Sequence, residues 1–363
     1  TNDNKAKLIN KDPLNNLFKP LMFIFRFLDK TKIYVFKNLY SKIYGMSRIK
    51  LCLEPSFPKS GHNLDFDSPC FFVGSCFSDN ISSMLNNRKF PVLSNPSGIL
   101  FDVLSIERCI KDIVSKRQYL TPDLFLYNEL YSSWNHHTSF SDLNAETIIN
   151  QINDSNLKAY DFMRTAKVVF ITLGSAFSYY HTKEKRYVSN CHKVPQIEFE
   201  KRLLSTEDIY SSLNRIHKLF SEINPKIKTI LTISPVRHLR DGIIENNRSK
   251  AKLIDACHRF IESTADTYYF PSYEIVLDVL RDYRFFDIDM AHPNYLATEI
   301  VFDYLKTLCI QPKCYEDMEA FYQLTLAMKH RPRQLWQKTH QTIDFSAESL
   351  CFQNQINSLE VRL

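Results

Sequence analysis

Two short stretches, separated by about two hundred positions, carry the residue types that nucleophilic catalysis needs. The first is Pro69-Cys70-Phe71-Phe72-Val73-Gly74-Ser75-Cys76-Phe77-Ser78-Asp79-Asn80. Phe71 to Val73 reads as a buried strand, Gly74 breaks it, and Ser78-Asp79-Asn80 leads into a helical pattern through Ile81, Met84 and Leu85. A nucleophile in such a turn projects from the carboxyl end of a strand, where the next helix's free N–H groups and positive dipole end favour a thiolate or an oxyanion. Cys76 or Ser75 stands there. The second stretch is Asp287-Ile288-Asp289-Met290-Ala291-His292-Pro293-Asn294, ahead of another helical pattern. Its Asp-x-x-His lets Asp289 hold the ring of His292 as general base, with Asp287 as a fallback partner. Singly, each stretch has a blander reading: a lone cysteine is more often a small buried hydrophobe, and Asp289 could cap the next helix. Together they describe acyl transfer by nucleophile, imidazole and carboxylate.

The same two blocks resemble the SGNH (GDSL-type) hydrolases, whose first block places the nucleophile after strand one and whose last block is Asp-x-x-His. The chain resembles one branch more closely, the GSCFA family, named for a motif matched by Gly74-Ser75-Cys76-Phe77-Ser78. The likeness continues in order through Asn95-Pro96-Ser97-Gly98-Ile99-Leu100, Trp134-Asn135-His136-His137, Thr172-Leu173-Gly174-Ser175-Ala176, Ser189-Asn190-Cys191-His192-Lys193 and Ser234-Pro235-Val236-Arg237-His238. It spans roughly residues 50 to 310.

Aligned with Gly-Asp-Ser, the resemblance puts Cys76 on the nucleophile and Ser75 on the aspartate, and a frame shifted by one residue would make Ser75 the nucleophile. The superfamily's oxyanion hole implies three donors: the nucleophile's own N–H, a block-two glycine matched by Gly98, and an Asn side chain from block three. Ala176 stands where that Asn would be, which leaves Ser175, Asn190 and Asn95 as candidate replacements. His136 and His137 could read sugar hydroxyls or stack on a pyranose, and Asn190, His192 and His238 could also line the pocket. Arg237 could bind an anionic substrate group or pair with a core carboxylate. No metal is expected, since no close ligand pair occurs.

By analogy the resemblance implies an esterase or O-acetyltransferase acting on O-acyl groups of a bacterial polysaccharide, as in capsule biosynthesis. It implies no cofactor beyond an acetyl donor such as acetyl-CoA for a transferase. The rival is a non-catalytic glycan-binding or scaffold protein on the same fold.

To position these blocks the chain needs a sheet. Core strands are expected at Cys70–Val73, Pro91–Leu93, Val168–Leu173, Lys228–Ile233 and Thr267–Phe270. Helices are expected at about 77–87, 99–115, 145–165, 205–223, 248–265, 272–282 and 295–308. That alternation predicts a three-layer α/β/α sandwich around a mainly parallel five-stranded sheet. The 51–310 domain is flanked by a basic amphipathic segment over 1–50 and a helical extension over 311–363, helical first at about 316–328.

Residues 1–50 carry 11 Lys and Arg against 3 Asp, a net of +8, whereas the remainder carries 35 basic against 37 acidic residues, a net of −2. The basicity therefore belongs to the first segment. Residues 14–50 either pack on the domain or lie on an anionic membrane surface or assembly partner. No nucleic acid is expected as a partner. Nine cysteines without paired spacing point to a reducing compartment, and the expected location is cytoplasmic, peripheral to an inner membrane.

Overall fold

The computed structural model describes residues 53–329, so residues 1–50 and the tail beyond 329 lie outside the described part. Five apolar runs form the central sheet: β1 (Cys70–Gly74), β2 (Val92–Ser94), β5 (Val168–Leu173), β9 (Lys228–Ile233) and β10 (Thr267–Phe270). Their order is β10-β9-β5-β1-β2, and every pairing is parallel. Parallel strands covered on both faces must be apolar on both faces, which is why these five were readable as continuous hydrophobic runs.

Register sorts the side chains. Cys70 pairs with Val168, Phe72 with Phe170, and Phe170 with Ile230, placing one set on a single face. There they meet α1 (Cys76–Asn86), α7 (Tyr295–Cys309) and α8 (Tyr315–Lys329), with the Phe72 and Phe170 rings stacked 4.2 Å apart. Phe71, Val73, Val169, Ile171, Leu231 and Ile233 face the other way, onto α2 (Val103–Val114), α3 (Ala145–Thr165), α4 (Thr206–Ile223) and α5 (Gly242–Ser263). The result is the expected three-layer sandwich.

Short polar residues start the helices. Ser75 caps α1, Asp102 caps α2, Asn144 caps α3, Ser205 and Asp208 form a capping box on α4, and Asn294 caps α7. Asp102 moves the start of α2 four residues beyond the expected Ile99, while α5 begins at Gly242, six residues before the expected Arg248. The expected helix at 272–282 is α6 (Ser272–Glu274) followed by a π-helical stretch, Ile275–Leu280, closed by Arg281 at φ 48. Two antiparallel sheets were not anticipated: the hairpin β3 (Phe125–Tyr127) with β4 (Leu130–Ser132), and β7-β6-β8, made of β6 (Phe177–His181), β7 (Arg186–Val188) and β8 (Phe199–Leu203).

The strand order reverses direction at β1, with β2 on one side and β5 on the other. Ligands of open parallel sheets bind at the carboxyl ends beside such a reversal. Gly74 and Thr172 are paired there. Among the described residues no helix is long and apolar enough to cross a membrane.

Candidate active site

The turn after β1 is built so that a side chain cannot fit at its first position. Gly74 has φ +138, and a Cβ there would lie 2.1 Å from the carbonyl oxygen of Thr172. Only glycine lets β1 approach β5 this closely. Ser75 follows in extended conformation, 1% exposed; its N–H donates to Thr172 O at 3.2 Å and its Oγ accepts the Phe77 N–H at 3.3 Å. Its hydroxyl therefore caps α1. Cys76 is the first helical residue and is half-buried, so the structure puts the thiol, not the Ser75 hydroxyl, at the mouth of the turn. Ser78 donates to Thr172 Oγ1 at 2.7 Å, pinning the first turn of α1 to β5.

The block-two loop supports this turn from the other side. Asn95, at φ 44, accepts the Gly74 N–H at 2.8 Å through Oδ1 and donates to Asp79 Oδ1 at 2.7 Å through Nδ2. Both ends of its amide are engaged, so Asn95 positions the turn and is not a free oxyanion donor. Gly98 is corrected in the same way: its N–H donates to Asn95 O at 2.8 Å. Its requirement for glycine is steric, since a Cβ would meet Cβ of His137 at 2.3 Å.

At the other end of the chain, Asp289 and His292 meet as expected. His292 Nδ1 lies 2.5 Å from Asp289 Oδ2, and Asp289 Oδ1 accepts the N–H groups of Ala291 (2.9 Å) and His292 (3.0 Å). Those donated hydrogen bonds, the His292 N–H first, hold the Asp289 carboxyl down at about 2. Asn294 takes the capping role on α7, which leaves Asp289 for the ring. Asp287 is not needed: its backbone N–H donates to His292 O and its carbonyl accepts from Met290, closing the loop. This loop is tied to the end of β9 by Arg237, whose N–H donates to Ala291 O at 3.1 Å and whose guanidinium donates to Met290 O at 3.2 Å. Arg237 also lies 4.1 Å over the Phe286 ring. Among the described residues it pairs with no carboxylate, and its guanidinium braces the loop that carries Asp289 and His292.

A model of the GSCFA family matches residues 69–304. The chain belongs to the GSCFA family. The GSCFA match covers both blocks, the loops between them and the whole central sheet. No curated protein matches the chain. Among solved structures it is similar to a carbohydrate esterase of family 3 from Talaromyces cellulolyticus, at 8% identity and TM-score 0.34, over 70% of this chain and 99% of that one. It is also similar to the acetyl xylan esterase Est2A from the rumen bacterium Butyrivibrio proteoclasticus, at 10% identity and TM-score 0.36. There the match spans 67% of this chain and 65% of the other.

Other residues singled out in the GSCFA motifs lie elsewhere. His136 is 2% exposed, its Nδ1 paired with Ser133 Oγ at 3.0 Å and its ring 5.0 Å from that of Tyr119; burial drives it down to about 3. His192 is buried against Trp134 and Phe125, with Nε2 on Ser133 O at 2.9 Å. Neither ring is open to stack on a sugar, because His136 packs between Tyr119 and Phe140 and His192 packs against Trp134 and Phe125. His137 is less buried and flanks Gly98, with Nδ1 toward Ser139 Oγ. Asn190 accepts the His192 N–H in a tight turn, leaving it half-buried in its loop. Ser175 accepts the Phe177 N–H at 3.0 Å and lies 3.4 Å from Ser249 Oγ, while Ser249 itself holds the Ala176 N–H at 2.7 Å. His238 donates Nε2–H to Gly174 O at 3.2 Å, and burial and Lys250 lower it to about 4.

Sequence reasoning missed Lys250. It lies on α5, 1% exposed, and donates to the carbonyls of Gly174 and Ser234, both at 2.7 Å, so it stitches the ends of β5 and β9. Burial lowers it to about 7, and Cys76 opposes that shift. In sequence it sits in Arg248-Ser249-Lys250-Ala251-Lys252, which looks like a solvated basic face. The thiol is shifted too. Burial first, then Asp79, push Cys76 upward, while the N–H groups of Cys76 and Phe77 and the charge of Lys250 pull it down. Burial, the largest of these effects, outweighs the pull of the helix terminus on the thiol. No hydrogen bond joins Cys76 to His292.

A cavity of about 420 Å³ lies at the opposite end of the sheet, at the amino ends of β5 and β9, between Arg164, Lys167, Lys226 and Lys228. It takes no part in this site.

Proposed function

We propose that the protein is an acyl-transfer enzyme that removes or transfers O-acyl groups on a bacterial polysaccharide, with Cys76 as nucleophile, His292 as general base and Asp289 as its orienting carboxylate. The observation that carries this reading is the Asp289–His292 pair, whose Nδ1 contact leaves Nε2 as the working nitrogen. In the reaction His292 Nε2 takes the proton of the Cys76 thiol as Sγ attacks the acyl carbonyl. Collapse of the tetrahedral adduct breaks the carbon–oxygen bond, and the leaving alkoxide takes the proton from His292. Water, or a second sugar hydroxyl, then gives its proton to His292 and attacks the thioester, and Sγ leaves with the proton returned. Thiol and imidazole need to close on one another for the first step, as often happens only when substrate is bound. The carbohydrate part of the proposal rests on the resemblance to SGNH enzymes that act on O-acetylated sugars.

Replacing Cys76 with Ala tests it. Turnover of aryl acetates and O-acetylated glycans should vanish together with the acyl adduct seen by intact mass. Undiminished turnover without an adduct would overturn the assignment. A second reading, glycan binding without chemistry, draws on Ala176 and on the engaged Gly98 N–H, which leave the oxyanion hole short of two expected donors. That reading requires glycan affinity in the wild type with no adduct from any ester.

A further inference from the structure

Three segments enclose the cavity at the amino ends of β5 and β9. The chain ahead of β1 supplies His62, the junction of α3 with β5 supplies Arg164 and Lys167, and the junction of α4 with β9 supplies Lys226 and Lys228. Its lining thus holds four cationic side chains and no carboxylate. A concave space lined by one sign of charge concentrates ions of the other sign. His62 adds no charge near neutral pH, since burial first and Lys228 second lower it from its ordinary value.

The ordinary duties of surface cations do not account for this group. Among the described residues only Lys167 of the four has a carboxylate within ion-pair distance, Asp65 at 3.8 Å. Asp65 is already shared: it accepts Ser68 Oγ at 2.7 Å and Gln311 Nε2 at 3.2 Å, and lies 3.7 Å from Lys313. Asp266, just ahead of β10, acts on His62 but lies outside the lining. The carboxyl ends of α3 and α4 also point here, and two helix ends amount to about one negative charge against four cations. Asn224 answers the carbonyls in any case, its Nδ2 donating to Met163 O at 3.3 Å and Ala166 O at 2.8 Å. The walls are joined before anything binds, because the Lys167 N–H donates to Pro69 O at 2.9 Å and the Lys228 N–H to Lys167 O at 3.1 Å.

We propose that this cavity is a second ligand site, separate from Cys76 and His292, and that it binds a diphosphate group. Each phosphate carries about 1.5 to 2 negative charges near neutral pH, so two of them match four cations where one carboxylate would leave three unanswered. The Arg164 guanidinium suits a fork onto phosphate oxygens, and the lysines act as point charges. The volume falls within the range of about 300 to 1,000 Å³ common for small-molecule sites, with Leu64, Ala166 and Val168 as an apolar wall for whatever carries the diphosphate. The six residues of β5, about 20 Å of strand, separate this site from the turn at Gly74.

Isothermal titration calorimetry of the full chain with sodium pyrophosphate, at ionic strength matched with sodium chloride, tests the proposal. Saturable binding of one pyrophosphate is expected. Arg164 and Lys226 are exposed, so Arg164→Ala and Lys226→Ala should fold; each should weaken binding about tenfold or more, and the double variant should abolish it. Lys183→Ala, which removes an exposed lysine outside the lining, should bind as the wild type does. No saturable binding to the wild type would overturn the proposal. So would equal weakening by Lys183→Ala, which would mean net charge alone, or binding retained in the double variant, which would place it on the basic residues 1–50. Diphosphates occur on soluble nucleotides and on lipids, and two further titrations separate these sources: ADP binding more tightly than pyrophosphate assigns the first, and tighter binding to phosphatidylcholine vesicles doped with farnesyl diphosphate assigns the second. The readout uses no ester, so this site and the acyl-transfer reading stand or fall separately.

Discussion

Gly74 and Ser75 divide between them two tasks that the motif merges into one string. Gly74→Ala would press a methyl group into the Thr172 carbonyl at a backbone angle that L-residues avoid. A loss of more than about 3 kcal/mol is expected, by urea unfolding, because strain and clash act together. Ser75→Ala removes only a helix cap. Its expected loss is about 1 kcal/mol, with acyl-enzyme formation retained. Loss of the adduct in Ser75→Ala, with the adduct kept in Cys76→Ala, would reverse the assignment of the nucleophile. Asp289 gives a third test at this scale. Its folded carboxyl is held at about 2 against an ordinary 3.8, so what it contributes is fully present above the ordinary value and is lost as pH falls toward 2. The stability difference between wild type and Asp289→Asn should therefore shrink in acid, as pH falls from the ordinary carboxylate range toward 2. Turnover of Asp289→Asn should fall by about 10² to 10⁴, since the ring loses its orienting acceptor.

At the scale of elements, the loops behind the site matter as much as the residues in it. Asn95→Ala would leave the Gly74 N–H without its acceptor and remove one donor from Asp79. A loss of about 2 kcal/mol is expected from the unpaired buried N–H, measured by thermal unfolding, together with altered alkylation of Cys76. The five core strands and the two candidate-site blocks were legible because their signals are local: apolar runs, a glycine break, Asp three residues before His. β6, β7 and β8 were not, because strands such as Phe199–Leu203 carry the charged run Glu200, Lys201 and Arg202 and show no apolar run. The roles of Asn95 and Gly98 were misassigned for a related reason. Both sit where a donor is wanted, and only the fold reveals that their polar groups are already spent on the turn. Lys250 was invisible because burial of a single lysine in a basic stretch depends on α5 starting at Gly242 and packing on two strand ends.

Over the whole molecule, the sheet has one layer of helices, α2 to α5, on one face and a second layer, α1, α7 and α8, on the other, and Cys76 opens the first helix of that second layer. The segment over 311–329 is part of that second layer: Met318 and Phe321 are each 1% exposed, within the same cluster as Phe72, Leu85 and Phe302. Phe321 meets the Phe66 ring edge-on at 5.7 Å, Thr325 donates to Asn87 O, and the Arg88 guanidinium lies between the Phe302 and Tyr322 rings at 4.4 and 4.0 Å. These contacts gather at the carboxyl end of α1, whereas Cys76 opens that helix at its other end, about 15 Å away at 1.5 Å per residue. Phe321→Ala should therefore cost about 3 to 5 kcal/mol of folding free energy through the cavity it leaves. It should do so without changing the pH profile of Cys76 alkylation at temperatures where the protein stays folded, because sites this far apart without shared partners act independently. Denaturant unfolding and peptide-level alkylation on the same sample check both halves, and a shifted profile in the folded variant would mean that α1 transmits the loss of packing at its end to the turn at its start.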